Sequence, residues 1–273
     1  MALVTTSRRG GFGFWLSLCL GLCLSVCVAC APSWADTRTS GHVYLSPQLQ
    51  ALQDDPQRNP VALWQERGQG LWQAQCSSCH GAMDSVKRSV ANFPRLSADG
   101  KILVNLEDQI LRCQQRGVAA SAPVPAASAL ESDSVLSLSA ALHQAAKGER
   151  IQVAPSSTAS PERTAQWQAR LSSGERLYQT RIGRMNLACM HCHDGKVGAQ
   201  MRADTISQAH PTGFPIYRMA WQTLGSLDRR LRACYSGVQA PIPSAGSADL
   251  RDLELFLKVR ADGMVLDGPS IRR

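Results

Sequence analysis

The pentapeptide Cys-x-x-Cys-His occurs twice in this chain, as Cys76-Ser77-Ser78-Cys79-His80 and as Cys189-Met190-His191-Cys192-His193. Two thiols spaced two residues apart can form thioethers to the two vinyl groups of one haem, and the adjoining histidine then ligates the iron from one face. Two copies predict two covalently attached haem c groups. Cys76, Cys79, Cys189 and Cys192 would hold them, with His80 and His193 as axial ligands. Paired Cys-x-x-Cys motifs can also build a zinc site or a disulfide scaffold. Repetition in similar surroundings, behind an export signal, favours haem.

Residues 1–35 read as a cleavable signal peptide. Arg8 and Arg9 supply a positive start, Phe12 to Ala31 is apolar, and Ser33-Trp34-Ala35 fits a small-x-small cleavage site. Uncut, the stretch would be long enough to anchor in a bilayer. Export predicts a periplasmic location. Cleavage removes Cys19, Cys23, Cys27 and Cys30 and leaves six of the ten cysteines. Four are committed to haem, so Cys113 and Cys234 decide the rest. In an oxidising compartment their plainest fate is a mutual disulfide.

The net charge of +8 falls to +6 without Arg8 and Arg9. A basic exported protein suits an anionic small substrate or an acidic protein partner. Export and the haem motifs argue against nucleic acid.

The two halves repeat. Gly68-Gln69-Gly70-Leu71-Trp72 precedes the first motif and Gly174-Glu175-Arg176-Leu177-Tyr178 the second, with seven extra residues in the second copy before its first motif cysteine. Downstream, Asn105 to Cys113 aligns without gaps to Ser226 to Cys234. Both runs open on an N-cap residue with a carboxylate in the first turn, and both place their cysteine on the apolar face. A last amphipathic helix is predicted in each half, over Val135 to Ala146 and Leu250 to Arg260. Ala119 to Ala129 reads as a loop, and Ile151 to Thr164 as a linker. The expected fold is all-α: two class I cytochrome c-like domains, 36–155 and 156–273, related by a pseudo-twofold repeat. Trp64, Trp72, Trp167 and Trp221 are expected to pack around the haems, and His191 to face solvent between the second pair of cysteines.

Most electron-transfer cytochromes of this layout use Met on the far side of the iron. The first half has no suitable Met, because Met83 lies three residues beyond His80 and the next is Met185. Cys113, His143 and His42 remain. Cys113 has the best position, and His143 reads as a partly exposed helix residue. In the second half Met201 and Met219 are available, but the repeat points to Cys234. Thiolate ligation lowers the potential relative to Met. Arg230 sits four residues before Cys234, where the first half has Gln109. At that spacing the side chains share a helix face, and a guanidinium there favours thiolate and offers a fork of donors to an oxyanion. Arg229 and Arg232 read as a solvated face. A plain dihaem electron carrier, with Cys113 and Cys234 bonded or idle, is the rival reading.

The run His210-Pro211-Thr212-Gly213-Phe214-Pro215-Ile216-Tyr217-Arg218, continuing through Trp221 to Cys234, resembles the SoxA family of the thiosulfate-oxidising Sox system. The resemblance covers essentially the whole chain after the signal. It implies two cytochrome c domains and a heterodimer with SoxX, a small monohaem cytochrome c. It also implies L-cysteine S-thiosulfotransferase activity: oxidative coupling of thiosulfate to a cysteine thiol of the SoxYZ carrier, with two electrons passing to a downstream cytochrome c acceptor. On this resemblance His80 and Cys113 ligate the first iron, and His193 and Cys234 the second. Cys234 is then the catalytic sulfur, and Arg230 binds substrate.

Overall fold

The computed structural model describes residue 2, residues 37–115 and residues 127–273. The signal-peptide reading, and most of the loop expected at 119–129, therefore lie outside the described residues. The chain divides into two compact units, Met1–Thr37 and Arg38–Arg273. The second unit carries both Cys-x-x-Cys-His motifs. Among the described residues, no helix is long and apolar enough to cross a membrane.

Six helices frame this unit: α1 Ala62–Gln75, α2 Leu106–Gln114, α3 Asp133–Ala145, α4 Pro161–Gln179, α5 Leu227–Gly237 and α6 Ala248–Arg260. Their starts follow local chemistry. Asn105 closes a capping box with Asp108 at the head of α2, and the Ser226 hydroxyl accepts from the Arg229 amide at the head of α5. Ser160 caps α4, with Pro161 at its first position. The helix therefore begins inside the segment expected to be a linker. Ala127–Leu130 is also helical, where a loop was expected.

The repeat reappears in the packing. In the first half α1 crosses α3; in the second α4 crosses α6. Both crossings are closed by a glycine. A Cβ on Gly68 would stand 2.0 Å from the Ser137 carbonyl oxygen, and one on Gly174 would stand 2.0 Å from that of Asp252. A hydrogen is all that fits at either place, so the two glycines of the repeated sequence set the helix approach.

The framework is helical, as expected, but the described residues also form seven short strands that were not expected. Three of them, β1 Ile216–Arg218, β2 Thr223–Gly225 and β3 Ser270–Arg272, form a sheet in the order β2-β1-β3, with β1 antiparallel to β2 and parallel to β3. Strands of three residues carry no readable alternation.

The halves share their core. The cluster around Trp72, Phe93, Ile110 and Leu138 also takes in Leu255, Ala261 and Leu266 from the second half. Val61, Leu136 and Ala140 pack with Leu224 and Ile271 of the sheet. A smaller cluster of Tyr178, Leu227, Leu231, Leu250, Leu253 and Leu257 lies under the second motif. His143, expected to be partly exposed, is only 6% exposed. Its Nδ1–H donates to the Ser139 carbonyl at 2.9 Å.

Candidate haem-binding and sulfur site

The first motif is one helical turn, Ser77–His80, that continues directly from α1. The amides of Cys79 and His80 both bond the Cys76 carbonyl, at 3.1 and 3.0 Å, and this winding gathers the two thiols and the imidazole. Trp72 Nε1 donates to the Gly81 carbonyl at 3.0 Å, and its ring lies 5.8 Å from that of His80. Gly81 turns the chain away at φ +67°, a conformation that favours glycine.

These residues open onto a cavity of about 410 Å³. Cys76, Cys79 and His80 line it, and α2 contributes Cys113 and Gln109. Trp72, Val90, Phe93, Ile110, Leu138 and Leu142 supply apolar walls. Cys113 carries the electrostatic mark of proximity: burial, then Cys113, then Cys79 push the Cys76 thiol up in pKa. Two motif cysteines, a histidine and a third cysteine sulfur around an apolar slot fit a haem c group. Neither His42 nor His143 lines the cavity. Of the three distal candidates the structure therefore brings Cys113 to the site. Gln109 Nε2 donates to the Cys113 sulfur at 3.3 Å.

The second motif, Cys189–His193, is again a short helical turn. His191, expected to be a solvent-facing spacer, caps it: its Nδ1 accepts from the Ala188 amide at 2.9 Å. The seven extra residues before this motif include a tight bridge between Ile182 and Leu187. His193 Nδ1 lies 2.7 Å from the Ser207 carbonyl. A carbonyl can only accept, so Nδ1 carries the proton and Nε2 keeps its lone pair for a metal. Burial lowers the His193 pKa, and Arg230 and Arg260 push the same way against the Ser207 bond. The neutral imidazole, the ligating form, is favoured.

Cys234 reaches the same neighbourhood from α5. The Cys189 thiol is pushed up to about 11 by burial first and by Cys234 next. Arg218 is lowered mainly by burial and then by Arg230, with Asp204 and Cys234 opposing. Arg272, half-buried in β3, is pushed down to about 10 chiefly by desolvation, and Arg230 contributes to that shift. Arg218 and Cys234 therefore act on each other electrostatically, and Arg230 links Arg218 to Arg272 in one positive group. A separate cavity of about 380 Å³ on the His193 side is lined by Arg38, Asp194, Val197, Gln208, His210 and Arg260, and Cys234 does not line it.

Several expectations change here. Arg229 and Arg232 are not a free solvated face. Arg229 stacks over the Trp221 ring at 4.3 Å, and Arg232 Nε donates to the Pro243 carbonyl at 3.0 Å. Of the four tryptophans expected around haem, only Trp72 lines the first cavity. Trp64 stacks near Tyr217, Trp167 donates to the Val153 carbonyl, and Trp221 lies against Arg229 and Arg218. The Met ligands that the electron-carrier reading needs are exposed, Met201 by 51% and Met219 by 44%. All six cysteines of the described residues are free, so no disulfide joins Cys113 to Cys234. The sequence reading missed Arg272 and the Ser207 carbonyl. Neither has a local motif, because each reaches the site only through the tertiary fold.

A family model for the SoxA/TsdA cytochrome c domain matches residues 61–151. Over 246 residues the chain is 29% identical to the L-cysteine S-thiosulfotransferase subunit SoxA of Pseudaminobacter salicylatoxidans, covering 87% of this chain and 82% of that one. The SoxA subunit of Paracoccus pantotrophus is 27% identical over the same length, covering 87% and 80%. A crystal structure of SoxXA from P. pantotrophus superposes with a TM-score of 0.74 at 25% identity, covering 86% of this chain and 87% of that one. Along most of its length the chain is similar to SoxA subunits. It is a c-type cytochrome, and the matched domain is the one that contains the first motif, the 410 Å³ cavity and Cys113.

Proposed function

We propose that this SoxA-type chain is a dihaem L-cysteine S-thiosulfotransferase subunit, exported to the periplasm, built as two cytochrome c-like domains, 36–155 and 156–273, about a pseudo-twofold. It pairs with a SoxX-type monohaem cytochrome and acts on the cysteine of a SoxYZ-type carrier. The observation that carries this reading is the half-buried Cys234 sulfur beside Arg230 and Arg218, in the same neighbourhood as Cys189 and His193. The named relatives, matched along most of the chain, give the reaction class.

The chemistry follows from the residues. Thiosulfate is a dianion with one nucleophilic sulfur. The guanidinium of Arg230 holds its sulfonate oxygens by charge-assisted bonds, and Arg218 and Arg272 add positive potential. The Cys234 thiolate joins the terminal sulfur of thiosulfate, and two electrons leave. Bound haem c supplies the acceptor for those electrons. A carrier thiolate then attacks the thiosulfate-derived sulfur, releasing the Cys234 thiolate and giving the carrier cysteine S-thiosulfonate, as in thiol–disulfide exchange. Counted from a carrier thiol, the sum releases two electrons and one proton. His80 and Cys113 would hold the iron of the first haem, and His193 and Cys234 that of the second.

The test is thiosulfate-dependent reduction of a cytochrome c acceptor, with the SoxX-type partner and the carrier present. Cys234→Ala is expected to abolish turnover, while Cys113→Ala changes the spectrum of the first haem and leaves coupling largely intact. Near-normal coupling by the Cys234 variant would overturn the assignment.

A further inference from the structure

The helices that carry Cys113 and Cys234 start on one shared side chain. Arg251, in the first turn of α6, is only 3% exposed. Its Nε and Nη2 fork onto Asp108 at 2.6 and 2.8 Å, and its Nη1 bonds Asp228 at 2.9 Å. Asp108 stands in the first turn of α2, next to Gln109, whose amide bonds the Cys113 sulfur. Asp228 stands in the first turn of α5, two residues before Arg230 and six before Cys234.

Both carboxylates are themselves tied to the backbone. Asp108 accepts from the Asn105 amide at 3.1 Å, and Asp228 from the Gly246 amide at 2.8 Å. The fork therefore grips the ends of two short helices. A planar guanidinium with two engaged edges fixes distance and angle together, which a lysine cannot do. α2 has nine residues and α5 eleven. Each cysteine lies within two turns of its gripped end, and a tilt at that end moves the sulfur.

We propose that Arg251 is a positioning residue shared by the two haem sites. It holds α2 and α5 in one mutual register, and so orients Cys113 and Cys234 at the same time. The inference rests on the reading of these two cysteines as distal ligands.

The experiment uses the holoprotein with its cytochrome partner. The low-spin ferric EPR signals are first assigned with Cys113→Ala and Cys234→Ala. If neither substitution alters a signal, the ligand reading fails, and that failure is independent of Arg251. The signals are then followed in Asp108→Asn, Asp228→Asn and Arg251→Lys. The expected pattern is a change confined to the first haem, a change confined to the second, and a change in both. Global loosening would not sort by haem in this way. A folded Arg251→Lys protein that alters one signal only, or neither, overturns the proposal. Should that variant not fold, the Asp108→Asn/Asp228→Asn pair combined in one chain removes the same grip, and the same outcomes decide.

Discussion

Gln109 Nε2 lies 3.3 Å from the Cys113 sulfur and donates a hydrogen bond to it. The aligned residue in the second half is Arg230, one helical turn before Cys234. The two halves therefore place a donor residue at the same point in sequence relative to the cysteine proposed as distal ligand, neutral in one and charged in the other. A bond to a thiolate withdraws electron density from it and so favours the reduced metal. Gln109→Ala is expected to lower the potential of the first haem by about 20–60 mV. That range converts a bond worth ~0.5–1.5 kcal/mol at 59 mV per 1.4 kcal/mol for one electron. A redox titration with an unmoved first potential would contradict this role for Gln109.

The glycines at the helix crossings make a matched pair of tests. Gly68→Ala and Gly174→Ala each drive a methyl into a backbone carbonyl on the facing helix. Each is expected to destabilise by about 1–3 kcal/mol in denaturant unfolding. Gly70, two residues further along α1, has nothing within 4 Å of its would-be Cβ. Gly70→Ala should instead stabilise by roughly 0.5–1 kcal/mol through helix propensity. Equal effects at Gly68 and Gly70 would show that the crossing is looser than the packing implies.

These glycines also show how much the sequence could carry. The repeat, both Cys-x-x-Cys-His turns, both N-caps and the cysteine-bearing helices α2 and α5 were legible, because each rests on spacing within a dozen residues. The buried seam between the halves was not. Arg251, Glu254 and Lys258 form a charged stripe along α6 at three- and four-residue steps, and nothing in the sequence alone marks it as buried. In the fold that stripe faces inward: Arg251 meets Asp108 and Asp228, Glu254 accepts from Asn105, and Lys258 donates to the Pro211 carbonyl. The partners are supplied by the other half or by a distant loop, so a charge pattern along one helix cannot announce them. His143 was misread because helix packing buries it, although its own hydrogen bond is to Ser139 on the same helix.

The pH dependence of stability has two opposed parts. Burial, aided by Lys258, pushes His143 down to about 3. Between pH 3 and its ordinary value near 6.5 the unfolded chain binds the extra proton, so this part of the stability rises with pH. Glu131 is pushed up to about 7, chiefly by burial, while it accepts from the Ser226 hydroxyl. From the ordinary carboxyl range to pH 7 the folded protein holds the extra proton, so this part falls as pH rises. Glu254, also pushed up to about 7 by burial, adds to the falling part, and Glu131→Gln removes only the Glu131 share of it. Its stability relative to the unsubstituted protein should therefore improve from pH 5 to about pH 7 and level off by pH 8 in denaturant titrations. A constant difference over that range would refute the inward, protonated Glu131.

Arg230 is the arginine of its helix that the proposed function assigns to substrate. Arg229 is stacked on Trp221 and Arg232 is bonded to the Pro243 carbonyl, while Arg230 shares a face with Cys234 and acts electrostatically on His193, Arg218 and Arg272. Arg230→Gln should lower kcat/KM for thiosulfate by about ten- to a hundredfold, the loss of a charge-assisted bond to an anion. Arg230→Lys keeps the charge but not the fork, and should fall between the two. Raising the ionic strength should weaken the wild-type protein more than the Gln variant, since screening acts on the charge that the variant lacks. Arg229→Gln is the comparison: it breaks the stack on Trp221 and should leave the ionic-strength response close to wild type. If Arg229→Gln and Arg230→Gln lose activity equally and with the same salt dependence, thiosulfate is held by the general positive field of the site, and Arg230 has no special place in it.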